Sequence, residues 1–332
     1  MPDLRVTLGP LTLRNPVLVA AGTVGYGLEF VRALRLERLG ALVTKTLTLQ
    51  PRSGNPPPRL VETPAGMLNA VGLQNVGLEA FLREKWPALR RCDVPVIVSV
   101  LGESADELAA MVQRLDAVDG IAGIELNLSC PNLKSSGEWR VASGEEERPR
   151  SMSTELITHH SSLVTPRMVA QDPEATFTMV QAARRQTRRA LIAKLSPDVT
   201  DLAPIATAAE RAGADALAVT NTFVGMSIDP VTRRSRLGSM TGGLSGPAIR
   251  ALAVYRVWYT ARTVRIPIIG LGGVVRAEDA LEFFLAGASA VAVGTANFAN
   301  PTAALRIVRG LERYVSRSRI RSLEELRGAV NR

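Results

Sequence analysis

The chain has 332 residues, 46% of them hydrophobic and 21% charged, so it can bury a large core as one large α/β barrel or as two ordinary domains. No wholly apolar run approaches the roughly 18 residues of a membrane span. The N-terminus lacks a secretory signal pattern and only two cysteines are present, so we expect a cytoplasmic protein. The net charge of +9 suits an anionic ligand, a nucleic acid or an acidic protein, but the arginines lack interleaved aromatics, so nucleic-acid binding is not predicted.

Apolar, β-branched runs recur along the chain. They lie at 17–20, 41–44, 94–100, 121–128, 190–195, 216–220, 266–270 and 290–294. Most are continuous, as expected of parallel strands covered on both faces, and amphipathic helical patterns such as 104–117 and 201–212 lie between them. Eight strands alternating with helices predict the α/β class and a single (β/α)₈ TIM barrel over residues 1–332.

Three segments lie outside this rhythm. Residues 5–14 alternate around Gly9-Pro10 and predict a β-hairpin at the bottom of the barrel. Residues 48–78 are rich in Pro, Gly and Asn and predict a long loop over the C-terminal mouth, where barrel enzymes place function. Residues 138–167 follow the fourth strand and are polar, which predicts an inserted, mobile flap or, alternatively, simple disorder.

Cys130 stands where the fourth apolar run ends abruptly, between Asn127 and Asn132. The following Pro131 biases its backbone toward an extended conformation. A thiol just past a strand end can reach a ligand, although a free cysteine is also commonly a small buried hydrophobe. Position alone leaves both interpretations open.

The predicted strand ends are unusually polar. They carry Lys45, Thr46, Asn127, Cys130, Lys194, Ser196, Thr220, Asn221 and Thr222. Burying two lysines and several amides without a ligand is costly, so we expect a binding site, with mutual structural hydrogen bonding as the alternative.

Glycines cluster toward the C-terminal end of the barrel sequence. They occur at 242–246, at 270–273 and at 294, where backbone N–H groups can approach an anion closely. Pro247 suits the first turn of a helix whose positive end faces such an anion. A phosphate site, lysines and a lone thiol together fit flavin chemistry, in which a lysine stabilises the reduced ring and a thiolate removes a proton from carbon.

Nine ordered motifs carry a family resemblance. They are Asn15-Pro16-Val17, Val43-Thr44-Lys45-Thr46, Gly54-Asn55-Pro56, 62–75 (Glu-Thr-Pro-Ala-Gly-Met-Leu-Asn-Ala-Val-Gly-Leu-Gln-Asn), 127–132 (Asn-Leu-Ser-Cys-Pro-Asn), Lys194-Leu195-Ser196-Pro197, Asn221-Thr222, 241–247 and 293–298. Together they resemble the class 1 dihydroorotate dehydrogenases, and Gly72-Leu73-Gln74-Asn75 looks most like the B subtype. The resemblance covers residues 4–309, with the predicted flap outside it.

The resemblance implies oxidation of dihydroorotate to orotate in pyrimidine biosynthesis, with FMN bound at the barrel mouth. Cys130 would be the base that takes a proton from C5 while hydride leaves C6 for the flavin, and Lys45 would contact both flavin and substrate. The implied substrate contacts are Lys45, Asn69, Ala70, Val71, Gly72, Leu73, Asn127, Asn132, Asn221 and Thr222. The implied cofactor contacts are Ala21, Lys45, Thr46, Ser99, Asn127, Lys194, Thr220, Gly246, Gly272, Gly273, Gly294 and Thr295.

Two of these positions depart from the subtype's pattern. Ala21 stands where the subtype usually has serine and Ser99 where it usually has asparagine, and the resemblance implies that each change would remove a flavin hydrogen bond worth about 1 kcal/mol. Cys92 precedes the third strand, at the opposite end of the barrel from Cys130, and is predicted to be inert.

The resemblance also implies a homodimer. It further implies a second subunit with FAD and an iron-sulfur cluster, and this fits a chain that lacks the cysteines for a cluster of its own. The electron acceptor, whether NAD, fumarate or another oxidant, stays open. Two other functions are considered. One is a flavin dihydropyrimidine (dihydrouracil) dehydrogenase module, which the substrate-carboxylate loop argues against, and the other is a catalytically silent flavoprotein subunit.

Overall fold

A computed structural model describes residues 3–30, 34–129, 168–318 and 320–330. The strands are β1 (Val6–Leu8), β2 (Leu11–Leu13), β3 (Val17–Val19), β4 (Ala41–Val43), β5 (Leu60–Thr63), β6 (Gly66–Asn69), β7 (Val96–Val100), β8 (Ile121–Asn127), β9 (Ala190–Lys194), β10 (Ala216–Val219), β11 (Phe223–Gly225), β12 (Ile228–Asp229), β13 (Arg234–Ser235), β14 (Gly242–Ser245), β15 (Ile268–Leu271) and β16 (Ala290–Val293). The α-helices are Leu78–Ala80, Trp86–Leu89, Ala105–Asp116, Pro173–Arg184, Ala203–Arg211, Arg250–Ala261, Ala277–Ala286, Ala296–Ala299 and Ala303–Arg317, and a π-helical turn, Phe81–Lys85, joins the first two. No helix in the described ranges is long and apolar enough to cross a membrane.

Eight parallel strands close into a barrel in the order β3-β4-β7-β8-β9-β10-β15-β16, with β16 pairing back to β3. Each coincides with one of the predicted apolar runs, which confirms the (β/α)₈ fold. Alternate residues of each strand face inward, and the interior is filled by small and branched side chains such as Leu18, Ile97 and Ile192. The other faces pack against the surrounding helices in one larger core.

The predicted N-terminal hairpin is confirmed. β1 and β2 pair antiparallel in the register Val6↔Leu13, and Gly9 takes the left-handed conformation that their tight turn requires, with φ of 59°. Leu8 and Leu13 are fully buried and pack among the inward-facing barrel residues. A Cβ on Gly9 would collide with Asp215, just before β10, so the hairpin closes the amino-terminal end of the barrel.

Both predicted amphipathic helices are present. Ser104 accepts a hydrogen bond from Glu107 N at 3.1 Å and opens the helix Ala105–Asp116, which ends against Ala117. The second helix, Ala203–Arg211, begins two residues after Asp201, whose carboxylate accepts from Ala203 N at 2.9 Å.

The segment 48–78 is more ordered than the predicted loop. Its residues include β5 and β6, which join β14 and β11 in a four-stranded antiparallel sheet of order β11-β14-β6-β5. Gly242 to Ser245, interpreted from the sequence as part of a glycine cluster that approaches an anion, forms the strand β14. This sheet was not predicted from the sequence because β6 pairs with a strand far along the chain, with Leu68 opposite Leu244. Since β6 and β11 follow the carboxyl ends of β4 and β10, the sheet lies over the mouth of the barrel.

The predicted flap at 138–167, Cys130 and Asn132 all lie outside the described residues.

Candidate active site

A chain of buried hydrogen bonds lies at the carboxyl ends of three neighbouring barrel strands. Asn127 Nδ2 donates to Thr46 Oγ1 at 3.1 Å, Thr46 Oγ1 and Ser99 Oγ are 2.9 Å apart, and Ser99 Oγ donates to Glu125 Oε1 at 2.9 Å. All four side chains are buried. Thr46, Ser99 and Asn127, three of the predicted residues, therefore form one polar cluster.

Lys194 and Thr220 bring unpaired polar groups to the same end of the barrel. Lys194 is 5% exposed and its Cα lies opposite Asn127 in the β8–β9 ladder. Within the described ranges its ammonium has no hydrogen-bond or ion-pair partner, and Thr220 Oγ1 is buried and also unbonded. Such groups are costly to bury without a partner, so they indicate that a ligand completes this part of the site.

A second group of predicted residues lies beside the chain segment that leads to Cys130. Asn221 Nδ2 donates to Ser129 O at 2.9 Å and to Ser129 Oγ at 3.1 Å, and Asn221 Oδ1 accepts from Thr222 N. Thr222 packs directly against Gly243, whose carbonyl accepts from Asn69 Nδ2 at 3.1 Å. Asn69, Asn221 and Thr222 are therefore neighbours in space.

The loop that carries the remaining predicted substrate contacts follows β6. Gly72 and Leu73 both have positive φ, 71° and 55°. The backbone N–H groups of Val71, Gly72 and Leu73 have no acceptor among the described residues. Successive unpaired N–H groups in a turn form an anion-binding surface.

The predicted glycine cluster is assembled at the mouth. A Cβ on Gly273 would lie 3.0 Å from Gly246 O, and one on Gly246 would lie 3.5 Å from Thr295 Cγ2. Both glycines are left-handed, with φ of 74° and 93°, and Thr295 Oγ1 donates to Ser245 Oγ at 2.8 Å. The result is a cradle of backbone and hydroxyl groups that follows β14 and leads, through Pro247, into the helix Arg250–Ala261.

The other predicted cofactor contacts lie around this cradle. Gly272 faces the helix Arg250–Ala261, and a Cβ there would lie 2.6 Å from Ala253 Cβ. Glycine at this position therefore allows the helix to pack closely against the strand end. Gly294 adjoins Ala20 and Thr23, and Ala21 packs at the edge of the barrel interior. Lys45 follows β4, with its N–H bonded to Gly25 O at 3.0 Å.

Sequence reasoning gave no role to Glu125 or to Ser245, although both belong to the clusters above. Glu125 had a signal, because it is the one charged residue in the apolar run 121–128. Ser245 had none beyond its place among glycines.

Comparisons with known proteins assign the chain to a family. The family model described as dihydroorotate dehydrogenase matches residues 3–315. The chain is 51% identical to the "Dihydroorotate dehydrogenase B (NAD(+)), catalytic subunit" of Desulforudis audaxviator, over 98% of this chain and 97% of that protein. It is 47% identical to the protein of the same name from Trichlorobacter lovleyi, over 99% of both chains.

Among solved structures, the crystal structure of the Eimeria tenella enzyme DHODH in complex with ferulenol superposes with a TM-score of 0.76 at 24% identity, covering 100% of this chain and 89% of that one, which supports the fold. With a family model that spans most of the chain and relatives of such similarity, the protein belongs to the dihydroorotate dehydrogenase family.

Proposed function

We propose that this protein binds FMN at the barrel mouth and oxidises (S)-dihydroorotate to orotate, as the catalytic subunit of a B-type dihydroorotate dehydrogenase in pyrimidine biosynthesis. Family membership and the names of the relatives support the reaction. The mouth of the barrel carries two separate groups of polar atoms, a glycine cradle of the kind that binds phosphate and the anion-binding loop 71–73. Two such places around one opening support the binding of both a phosphate-bearing cofactor and an anionic substrate.

The residues present fit a flavin mononucleotide. Gly246, Gly273 and Thr295 offer close backbone approach and a hydroxyl to a terminal phosphate. Lys194, 5% exposed and without an ion pair among the described residues, offers a positive charge to the ring's N1/O2 edge. The Thr220 hydroxyl, which has no partner in the described part of the chain, offers a further hydrogen bond. When bound, FMN would supply the two-electron oxidant that takes hydride from C6.

In the proposed reaction, Cys130 would act as a thiolate that removes the C5 proton, and loss of this proton together with the C6 hydride would convert the C5–C6 single bond into a double bond. Lys45 and the polar groups of Asn127, Asn132, Asn221 and Thr222 orient the pyrimidine ring. The hydrogen bonds from Asn221 to Ser129 support this role for Cys130, since they tie the preceding residue to the substrate-binding cluster. Ser99 donates to Glu125, so its role is to orient Thr46 and Asn127 rather than to bind flavin directly.

The loop 71–73 is the feature that favours dihydroorotate over dihydrouracil as the substrate. Its unpaired N–H groups in the described structure match a carboxylate, which dihydroorotate has and dihydrouracil lacks. The neighbouring Asn69 adds a carboxamide to the same region.

The test is reduction of the bound flavin under anaerobic conditions. Stopped-flow mixing with dihydroorotate should bleach the flavin absorbance rapidly, and dihydrouracil should bleach it far more slowly. A preference for dihydrouracil would indicate the dihydropyrimidine dehydrogenase function. A yellow protein that neither substrate bleaches would indicate a catalytically silent flavoprotein.

The proposal extends to partners. The relatives' name, catalytic subunit, supports a second subunit, and the proposed partner carries FAD and an iron-sulfur cluster that pass electrons to NAD. The homodimer rests on the family resemblance, and the cytoplasmic location rests on the content of only two cysteines.

A further inference from the structure

Three of the four carbonyl groups of the loop 70–73 are held by two asparagines. Asn55 donates its backbone N–H to Val71 O at 3.1 Å and its Nδ2 to Ala70 O at 3.1 Å. Asn75 donates its Nδ2 to Leu73 O at 2.8 Å. The loop therefore has the carbonyls of Ala70, Val71 and Leu73 engaged by protein donors, while the N–H groups of residues 71–73 lack acceptors in the described structure.

Asn75 is held in one orientation by its surroundings. It is 6% exposed, and its Oδ1 accepts from Thr48 N at 3.2 Å and from Gly77 N at 2.8 Å. Its Nδ2 donates to Thr48 Oγ1 at 2.9 Å as well as to Leu73 O. Because Oδ1 receives two backbone donors, the carboxamide cannot rotate by 180° without facing N–H against N–H, so its donor stays on Leu73.

This arrangement matters because of the loop's backbone. Leu73 has φ of 55°, a conformation that is unfavourable for a residue with a side chain and needs a compensating contact. The bond from Asn75 supplies that contact at the carbonyl of the same residue. On the other side, Asn55 packs so closely on Gly72 that a Cβ there would lie 2.5 Å from Asn55 Cγ.

We propose that Asn75, assisted by Asn55, is a positioning residue for substrate specificity. It turns the peptide groups of the loop so that their N–H groups converge on the carboxylate of the substrate, and it does not touch the substrate itself. The inference rests on the proposed function, because it concerns the carboxylate that distinguishes orotate from uracil. It assigns to Asn75 the selection of that carboxylate rather than the catalysis of hydride transfer.

The test compares orotate with uracil as ligands of the oxidised, flavin-loaded protein, with binding followed by the change in flavin absorbance. In the unaltered protein orotate should bind much more tightly than uracil. In Asn75→Ala the ratio of the two dissociation constants should fall about tenfold or more, since a hydrogen bond to a charged group is worth about that factor. The uracil dissociation constant should change by less than about threefold, because uracil makes no use of the loop.

Asn15→Ala is the matched control. Asn15 is 5% exposed and holds a carbonyl in the same way, with Nδ2 donating to Arg38 O at 2.9 Å, but it lies before β3 at the opposite end of the barrel. Its replacement should lower stability and leave the ratio unchanged. Asn55→Ala, which removes the partner of Ala70 O alone, should lower the ratio to a smaller extent and carries the test if Asn75→Ala does not fold.

Two results would overturn the inference in distinguishable ways. If the unaltered protein prefers orotate and the variants keep that preference, Asn75 does not position the loop, and the proposed function stands. If the unaltered protein binds uracil as tightly as orotate, the proposed substrate and the inference both fail.

Discussion

Single residues at the mouth divide into groups already paired by the protein and groups left for a ligand. The residues of the Thr46–Ser99–Glu125–Asn127 cluster hydrogen-bond one another, whereas the ammonium of Lys194 and the hydroxyl of Thr220 have no partner in the described ranges. Mutual structural bonding, the alternative considered from the sequence, therefore exists in the first group, although Asn127 keeps a second amide N–H that can reach a ligand. Ser99, expected to contact flavin, is fully buried within that group.

Replacing Lys194 by Met should weaken flavin binding. The change removes a buried positive charge and keeps the length of the side chain, so the barrel should lose little stability while FMN affinity falls at least about tenfold. Flavin retained after dialysis, measured from absorbance, checks the effect. Equal retention in the variant and the unaltered protein would remove Lys194 from the cofactor site.

Replacing Cys130 by Ala should leave flavin bound while lowering turnover by about 10² to 10⁴, the contribution typical of a general base. Cys92→Ala is the control, because Cys92 packs beside the helix Trp86–Leu89 and burial raises the pKa of its thiol. The rate of flavin reduction by dihydroorotate measures both. Unchanged turnover in Cys130→Ala would exclude the thiol from the mechanism.

Among the secondary-structure elements, the glycine cradle depends on a close approach of two strands. Gly246 follows β14, and a Cβ there would lie 2.6 Å from Gly66 Cα at the start of β6. The glycine cradle proposed to hold the phosphate and the loop proposed to hold the substrate are therefore built on the same small sheet.

Gly246→Ala should separate these two strands and reduce flavin content. Gly120→Ala is the matched control, because Gly120 is also left-handed, with φ of 88°, but a Cβ there meets only Trp86 at 3.4 Å. Both variants place a side chain at a positive φ, so a loss of bound flavin confined to Gly246→Ala points to the site that Gly246 shares with Gly66. Equal flavin content in the two purified variants would contradict it.

The N-terminal hairpin offers a stability test remote from the mouth. Leu13 is fully buried at the closed end of the barrel, so Leu13→Ala should lower the free energy of unfolding by about 2–5 kcal/mol through lost burial and a residual cavity. Urea denaturation measures the change, and the affinity for orotate should be unaltered. A destabilisation below about 1 kcal/mol would show that the hairpin contributes little to the core.

The barrel strands could be predicted from the sequence because each is a local, continuous apolar run, such as that of β9 with all its residues buried. The four-stranded sheet could not be predicted, since β6 pairs with β14, whose sequence Gly-Gly-Leu-Ser has no strand-like composition. The polar cluster at the mouth could be anticipated because its residues lie at strand ends. The orientation of Asn75 could not, because it depends on Thr48 and Gly77, whose N–H groups carry no sequence signal.

At the scale of the whole molecule, two cysteines are too few to ligate an iron-sulfur cluster, so the proposed transfer of electrons to NAD would need another subunit. The name of its relatives, with NAD as acceptor, fits this division.

The purified chain should therefore oxidise dihydroorotate with an artificial acceptor and fail to reduce NAD until the partner subunit is added. NADH formation at 340 nm with and without that subunit distinguishes the two states, with fumarate and quinone as alternative oxidants. NADH formation by the chain alone would contradict the division of labour.

The pairing of β6 with β14 joins residues separated by more than half of the chain, as the bond from Asn69 to Gly243 across 174 positions illustrates. During synthesis on the ribosome, β6 must wait for β14 to emerge before its second edge is covered. A nascent chain arrested in that interval would present an open strand edge to other chains, which is a known hazard for self-association. Competence to bind ligand is thus acquired late in translation, after Ser245 has left the exit tunnel.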